Sequence, residues 1–179
     1  AERRQAIIDA AQPGATVTLE RSTMSLSATL EIDKDLTLRG DGAGRTIIDG
    51  NGAVRVLNIQ EGAVVTLENL TIANGWMDPD TYAPDSYGGI YNKGTLHLRG
   101  VEVTNCKGRS TGGIENEGTL HLYDGTHIHG NSGSTGGIST GEWASLTMHP
   151  GSVVISGNSG ESGGGLATHR CPVTMAAGN

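Results

Sequence analysis

Histidine is the residue type in this sequence best suited to chemistry. Five of the six histidines lie between positions 97 and 149. Imidazole binds metal ions and exchanges protons near neutral pH, and a nearby carboxylate can assist both. With two glutamates they form a candidate surface-binding patch that comprises Glu68, His97, His121, Glu102, His127 and His129. A shared metal ion, a pH-sensitive surface and a plain solvated strand face are all open interpretations; the solvated face is the simplest, and we predict no metal site and no cofactor.

A second group of candidate ligands is acidic. Asp78, Asp80 and Asp85 lie in the segment from Gly75 to Tyr87. Carboxylates are preferred Ca²⁺ ligands, so this segment could form a calcium loop. A solvated acidic loop is the simpler interpretation and the one that we favour.

The element that positions the histidines is a repeat of 24 residues. Gly88-Gly89-Ile90 begins a unit that recurs at Gly112-Gly113-Ile114 and Gly136-Gly137-Ile138, with a fourth copy at Gly164-Gly165-Leu166. Each unit contains short strands of alternating apolar and polar residues separated by turns. One unit cannot bury its apolar face alone, whereas stacked units can. The sequence therefore predicts an all-β parallel β-helix of about six coils.

Alternation along the strands predicts which residues form columns through the stack. Among the inward residues, Leu67 is expected to stack on Leu96. Among the outward residues, Glu68 is expected beside His97 and His121, with backbones about 4.8 Å apart. A further column at a bend would comprise Asn74, Asn105, Asn131 and Asn158.

We expect a single domain over residues 1–179. A short N-terminal helix with Ile7, Ile8 and Ala11 on one side would cap the stack, because an open coil exposes apolar core and an unpaired strand edge. The predicted parts are a cap at 1–14, irregular first coils at 15–65, repeat coils at 66–170 with a loop insertion at 75–87, and the start of a further strand at 171–179 with no visible cap.

Composition and charge narrow the class of protein. The 29 glycines follow no G-X-Y period, which excludes collagen, and the absence of Phe suits a narrow aliphatic core. A formal net charge of −7 opposes nucleic-acid binding. No apolar run is long enough to span a bilayer, so we expect no membrane insertion. Cys106 and Cys171 lack metal-type spacing, and free thiols are a simpler expectation than a disulfide.

Two segments carry a resemblance to a known group of folds. The runs LTLRGDG at 36–42 and TIIDG at 46–50 resemble the opening of right-handed β-helix proteins of the pectin-lyase-like superfamily. The Gly-Gly-Ile units resemble repeats of polymorphic outer membrane proteins and related bacterial surface β-helices. The resemblance implies a right-handed, single-stranded β-helix. It leaves the function open, because that superfamily includes lyases, hydrolases, epimerases, adhesins and structural rods.

The catalytic constellations of such enzymes are not evident in the sequence. A uronate lyase needs a positioned base and usually Asp-bound Ca²⁺, and a glycoside hydrolase needs two or three close carboxylates. The predicted outward columns contain Glu68 and Glu102 but no Asp. We therefore predict no catalytic residue.

These observations favour a non-catalytic extracellular or cell-surface segment with a structural or adhesive role. Its partners would be proteins, glycans or copies of itself, the last through the C-terminal strand. A polysaccharide-active enzyme of the uronate lyase, hydrolase or epimerase type is the first alternative. Ice binding is the second, because Thr66, Thr95 and Thr119 suggest a threonine column, which Glu68 and the histidines interrupt.

Overall fold

A computed structural model describes residues 2–78 and 85–176 of the chain. One helix, α1 (Glu2–Ala10), precedes the strands. The strands of the described residues are, in chain order, β1 (Ala15–Thr18), β2 (Thr23–Ser25), β3 (Leu30–Ile32), β4 (Leu36–Arg39), β5 (Ile47–Asp49), β6 (Leu57–Ile59), β7 (Val64–Glu68), β8 (Thr71–Ala73), β9 (Ile90–Asn92), β10 (Thr95–Arg99), β11 (Glu102–Thr104), β12 (Ile114–Asn116), β13 (Thr119–Leu122), β14 (His127–His129), β15 (Ser132–Thr135), β16 (Ile138–Thr140), β17 (Ser145–Met148), β18 (Val154–Ser156), β19 (Ser159–Gly163), β20 (Leu166–Thr168) and β21 (Val173–Met175).

The strands form three parallel sheets that run the length of a β-helix. Sheet A has the order β1-β4-β7-β10-β13-β17-β21, sheet B contains β2, β5, β8, β11, β14 and β18, and sheet C contains β3, β6, β9, β12, β16 and β20. A small additional sheet pairs β15 with β19. Each coil contributes one strand to each main sheet, so the described residues contain six coils and the first strand of a seventh. The predicted all-β parallel β-helix with one short N-terminal helix is confirmed.

Aliphatic side chains from all three sheets form one continuous core. Alternation turns Leu96 and Leu98 of β10 inward while His97 between them faces outward and stays only partly buried. Aromatic side chains contribute little to this core, which is made almost entirely of Leu, Ile and Val. Burying each such side chain contributes roughly 1.5–3 kcal/mol.

The register between β7 and β10 differs from the prediction by two residues. Leu67 pairs with Leu98, and Leu96 pairs with Val65. The predicted stacking of Leu67 on Leu96 is therefore wrong. The error is invisible to alternation, because a shift of two residues keeps every apolar side chain on the same face.

The prediction of one asparagine column is wrong as well, because the four asparagines form two columns. Asn74 and Asn105 have φ values of 52° and 53°, in the left-handed region that asparagine tolerates. Asn131 instead is buried; it accepts a hydrogen bond from the Cys106 amide at 2.9 Å and donates one to the Val103 carbonyl at 3.0 Å. A glycine precedes it at the left-handed position, so the later asparagines lie one residue further along the coil.

The paired glycines occur where successive coils touch. The amides of Gly89 and Ile90 donate to the carbonyls of Gly112 and Gly113 at 2.9 Å, and the same pairing repeats in the next coils. A Cβ at Gly112 would lie 2.5 Å from the Ser132 carbonyl oxygen, which no real Cβ contact allows. Close approach of the neighbouring coil, rather than a positive φ, is what requires glycine here.

Helix α1 covers the first coil. Ile8 is 3% exposed, and Ala11 packs against the core just after the helix. Ile7 is 48% exposed, so the predicted apolar side of the helix is narrower than expected. Among the described residues, no helix is both long and apolar enough to cross a membrane. Cys106 and Cys171 are free thiols.

Candidate functional site

His97 and His121 stack on the outward face of sheet A. They are direct partners across β10 and β13, and their ring centroids lie 4.7 Å apart at an interplanar angle of 4°. The stacking that the repeat predicted is thus present. A role of this pair in binding stays a prediction.

Three further residues, which the sequence analysis did not combine with this pair, complete what we call the imidazole cluster: His97, Arg99, His121, Tyr123 and His149. His97 Nδ1 lies 3.0 Å from the Tyr123 hydroxyl, and His121 Nδ1 lies 2.9 Å from His149 Nε2. Tyr123 stacks on His149 with centroids 4.1 Å apart, and the Arg99 guanidinium carbon lies 3.6 Å from the Tyr123 ring centroid. Tyr123 and His149 each come directly after a sheet A strand. This shared position is the one feature of the sequence from which their closeness to the histidine pair could have been predicted.

The two stacked histidines of the imidazole cluster hold a proton less readily than an exposed imidazole. Burial, then His121, Arg99 and His149, lower the pKa of His97. Burial, then His149 and Arg99, lower the pKa of His121. Burial first, and then the neighbouring histidines and Arg99, disfavour the protonated form of both rings.

Glu68 does not belong to this cluster, which corrects the predicted patch. Its Cα partners are Arg39 and Arg99, whereas His97 pairs with Thr66. The Glu68 carboxylate accepts a hydrogen bond from Arg39 Nε at 2.6 Å. The cause is the same two-residue register difference that separates Leu67 from Leu96.

The other predicted patch residues lie together on sheet B. His129 Nε2 lies 2.6 Å from Glu102 Oε1, and Thr71 donates to Glu102 Oε2 at 2.9 Å. Burial alone would raise the pKa of Glu102, but these two hydrogen bonds outweigh it and lower the pKa. His127 stacks on His129 at 4.0 Å and lies 2.9 Å from the Ser156 hydroxyl. The patch is thus two separate groups, one on sheet A and one on sheet B.

Neither group forms a metal site of the usual kind. Within residues 2–78 and 85–176, no group of three His, Cys, Asp or Glu side chains is arranged to hold an ion. Of the predicted calcium loop, Asp80 lies outside the described residues, and Asp78 and Asp85 are exposed. Arg55 holds the backbone carbonyl of Asp85. A calcium loop stays a prediction.

A polar groove over sheet C is the feature that the sequence analysis missed. It has a volume of about 470 Å³ and lies between the outward face of sheet C and the connections that follow sheet B. The groove is lined by Tyr87, Arg109, Ser110, Thr111, Glu115, Ser134, Thr135, Ser139, Ser162 and His169.

Glu115 is the buried acid of this groove. The residue is 8% exposed, accepts a hydrogen bond from the Thr111 hydroxyl at 2.5 Å and a longer one from Ser139 at 3.4 Å. Burial is the largest influence and raises the pKa of Glu115; the two hydrogen bonds oppose it without reversing it. A carboxyl in this state holds its proton to higher pH than an exposed one and can donate it to a ligand.

Two tyrosines lie near Glu115: Tyr87 lines the groove, and Tyr91 is the Cα partner of Glu115 on strand β9. Burial, then Glu115, raise the pKa of Tyr87 to about 12. The Tyr91 hydroxyl donates to Glu117 at 2.6 Å, and burial together with this bond raises its pKa further. The Arg55 guanidinium lies over both rings and donates to the Tyr87 carbonyl at 2.8 Å. Through its hydrogen bonds to the carbonyls of Asp85 and Tyr87, Arg55 fixes the backbone at the edge of the groove.

A weak signal for Glu115 exists in the repeat. Its partners across sheet C are Tyr91 and Ser139, so it occupies an outward position that repeats by coil. Outward positions are normally solvated. The Glu115 carboxyl is buried only because connections between strands pack over it, and these connections differ in length from coil to coil.

Comparison with known proteins concerns the fold. No model of a known protein family matches the chain, and no curated protein matches it. A pectin methylesterase variant solved with a hexasaccharide is similar at 16% identity and a TM-score of 0.47, over 97% of this chain and 61% of that one. Pectin methylesterase from Aspergillus niger is similar at 14% identity and a TM-score of 0.49, over 99% of this chain and 63% of that one.

The chain thus spans about three fifths of the length of these two proteins. Identities this low do not bear on the chemistry of the site. The resemblance of the repeats to polymorphic outer membrane proteins stays a prediction.

Proposed function

We propose that the protein cleaves a polysaccharide that binds in the sheet C groove, with Glu115 as the proton donor. The observation that carries this proposal is the buried Glu115 carboxyl, whose pKa is raised at the bottom of an open polar groove. A general acid works best when its pKa is close to the working pH, and burial moves Glu115 in that direction. The proposal favours the enzyme alternative over the non-catalytic adhesive role.

The lining of the groove suits a hydroxyl-rich ligand. Six of its ten residues are Ser or Thr, each of which both donates and accepts hydrogen bonds. Stacked coils repeat these hydroxyls along the groove; Ser134 and Ser162, for example, lie 3.0 Å apart in neighbouring coils. A chain molecule with regularly spaced hydroxyls would meet equivalent groups in successive coils.

A guanidinium and an imidazole at the rim of the groove could assist Glu115. Arg109 and His169 line the groove and are exposed. A guanidinium there could bind a substrate carboxylate, and an imidazole could accept a proton as the Glu115 carboxyl donates one. Glu115 is the one carboxyl among the lining residues, so His169 would be the proton acceptor, whereas a guanidinium keeps its proton and can only bind charge.

The test is a cleavage assay on a panel of neutral and uronate polysaccharides. Reducing ends report hydrolysis, and ultraviolet absorbance of unsaturated products reports elimination. We expect one substrate class to be cleaved by the wild type, and Glu115→Gln to lower the rate by about 10²–10⁴-fold while binding persists. The rate should fall as the pH rises through the Glu115 pKa, because the acid loses its proton.

Glu61→Gln is the matched control, since it makes the same change at an exposed turn position. It should leave the cleavage rate unchanged. Absence of products from every substrate, or full activity of Glu115→Gln, would show that the proposal is wrong. Binding without cleavage would instead support a glycan-binding role without catalysis.

A further inference from the structure

A second depression lies at the end of sheet B and shares no lining residue with the sheet C groove. We call it the corner pocket. It has a volume of about 320 Å³ and is lined by Asp49, Asn51, Gly52, Asn74, Gly75, Trp76, Asn105 and Lys107. These residues come from three successive coils, at the end of β5 and directly after β5, β8 and β11. No step of the proposed cleavage uses them.

Hydrogen bonds between coils hold the polar side chains of the corner pocket in one orientation. Asn105 Nδ2 donates to Asn74 Oδ1 at 2.6 Å, and Asn74 Nδ2 donates to Asp49 Oδ1 at 3.0 Å. The backbone amide of Asn51 donates to the same Asp49 oxygen at 2.7 Å. A carboxylate has about four acceptor sites, so these bonds leave Asp49 able to accept more. Because the groups are already ordered, a ligand that binds here loses little free energy to ordering them.

Trp76 supplies an aromatic surface to the corner pocket. The residue is partly buried, and its ring contacts Lys107, its partner in the next coil, whose ammonium nitrogen lies 5.3 Å from the ring centroid. The preceding coil contributes Gly52, where an added Cβ would have no atom within 4 Å. Glycine at this position therefore keeps space open beside Trp76.

The charges that line the corner pocket favour a neutral ligand. Asp49 would repel an anion and Lys107 would repel a cation, and both side chains line the same space. A carboxylate only accepts hydrogen bonds and an ammonium only donates them, whereas a hydroxyl does both. A ligand that satisfies Asp49 and Lys107 together is therefore rich in hydroxyls. The indole ring adds the requirement for an apolar face.

We propose that the corner pocket binds one neutral sugar ring, with an apolar face of the ring on Trp76 and its hydroxyls on Asp49, Asn105 and Lys107. A sugar ring combines the two properties that the lining requires, a face of carbon-bound hydrogens and an edge of hydroxyls. The volume is at the lower end of the range for ligand pockets, which suits one ring. The site holds the sugar without cleaving it, so this inference does not rest on the groove.

Tryptophan fluorescence provides the test, because the chain contains two tryptophans and Trp143 is 92% exposed in a turn. Trp143→Phe leaves Trp76 as the single indole. The methyl glycosides of glucose, galactose, mannose, xylose and arabinose are titrated into this protein. We expect at least one to change the emission in a saturable way, with a dissociation constant on the order of 1 mM.

The matching disaccharides distinguish two sources of the ring. They should bind at least as tightly as the methyl glycoside if the pocket takes one unit of a glycan chain, and more weakly if it takes a free sugar.

Two variants locate the binding, which calorimetric titration measures when Trp76 is replaced. Trp76→Leu should lower the affinity about tenfold or more, because the stacking surface is lost. Trp143→Leu makes the same change at the exposed turn and is the matched control; it should leave the affinity unchanged. Gly52→Asn places a side chain in the open space beside Trp76 and should also abolish binding. Asparagine tolerates the Gly52 φ of 61°, so this variant preserves the test if Trp76→Leu does not fold.

The proposal is overturned if no neutral sugar changes the Trp76 emission, if Gly52→Asn binds as tightly as the wild type, or if Trp143→Leu loses as much affinity as Trp76→Leu. Galacturonic acid and glucosamine test the charge argument, and a charged ring that binds about tenfold more tightly than its neutral counterpart would also overturn it. Glu115→Gln should leave the affinity unchanged. Loss of binding in that variant would place the sugar in the groove and contradict the corner pocket as its site. Circular dichroism confirms that each variant is folded.

Discussion

Glu115 shows how a single residue can have its chemistry changed by its surroundings. In the repeat it takes the place of Tyr91 and Ser139, which are neighbours in the same column. Its carboxyl is buried against Thr111. Burial opposes ionisation, so the same placement that suits proton donation reduces the stability of the fold at neutral pH.

This has a measurable consequence for stability. A carboxyl whose pKa is raised by folding contributes stability that is present below the pKa of the unfolded chain and is lost as the pH rises through the folded pKa. Glu115→Gln cannot ionise, so we expect it to unfold at higher denaturant concentration than the wild type at about pH 8, because the wild-type chain must either bury a charge or keep a proton there. The difference should vanish below about pH 4, where the carboxyl is protonated in the folded and the unfolded chain.

Urea unfolding across that pH range makes the measurement, with Glu61→Gln as the control for the change in net charge. A Glu115→Gln variant that is less stable than the wild type at every pH would mean that the hydrogen bonds of Glu115 outweigh its burial. That outcome would also weaken its assignment as an acid with a raised pKa.

At the scale of elements, the glycine pairs connect one coil to the next. The Gly89 amide donates to the Gly112 carbonyl, the Gly113 amide to the Gly136 carbonyl, and the Gly137 amide to the Gly164 carbonyl, each at 2.9 Å. The Gly-Gly-Ile units were recognised as a repeat from the sequence alone. The reason for glycine is the contact with the following coil, which a single unit does not contain.

Gly112→Ala tests this reason. The new Cβ would lie 2.5 Å from the Ser132 oxygen and 2.6 Å from its nitrogen, so two coils must move apart. We expect a loss of about 1–3 kcal/mol in the free energy of unfolding. At Gly141 the nearest atoms to a new Cβ are 3.7 and 3.8 Å away, and Gly141→Ala should be neutral or slightly stabilising. Equal losses in both variants would contradict the explanation.

At the scale of the whole molecule, helix α1 closes one end of the stack. Ile8 enters the apolar space formed by Val17, Leu19, Met24 and Leu30, while Ile7 lies at its edge. Without this cover, the first coil would expose its core and its strand edges to solvent or to another chain.

Truncating each isoleucine in turn tests whether the burial of Ile8, rather than the mere presence of an apolar residue in the helix, stabilises the first coil. Ile8→Ala should lower the free energy of unfolding by about 2 kcal/mol or more, because Ile8 is 3% exposed. Ile7→Ala, at 48% exposure, should cost under about 1 kcal/mol. Denaturant unfolding provides both values. A larger loss for Ile7→Ala would show that the helix packs on its other side.

The groove and the imidazole cluster also belong to this scale, because they lie on different sheets of one β-helix. The groove depends on connections of unequal length that follow sheet B, whereas the imidazole cluster depends on the regular strands of sheet A.

The sequence by itself determined the fold and the face to which most strand residues point. A period of 24 residues with alternation inside each unit suffices for that, since both are local properties of the chain. The stacking of His97 on His121 follows from the same period. The register between less similar coils does not follow from the period. Glu68 lies two residues from its predicted pairing position, a shift that alternation permits. Asn131 lies one residue further along its coil than Asn105, because one turn residue is inserted before it.

Only the tertiary structure decided which outward residues are solvated. Glu115 occupies an outward position, yet Thr111 and the connections of neighbouring coils bury it. Tyr123 and His149 become partners of His97 and His121 only when three coils are stacked. The pKa of a group depends on neighbours that are distant in sequence, so the chemistry of both sites emerges at the level of the assembled coils.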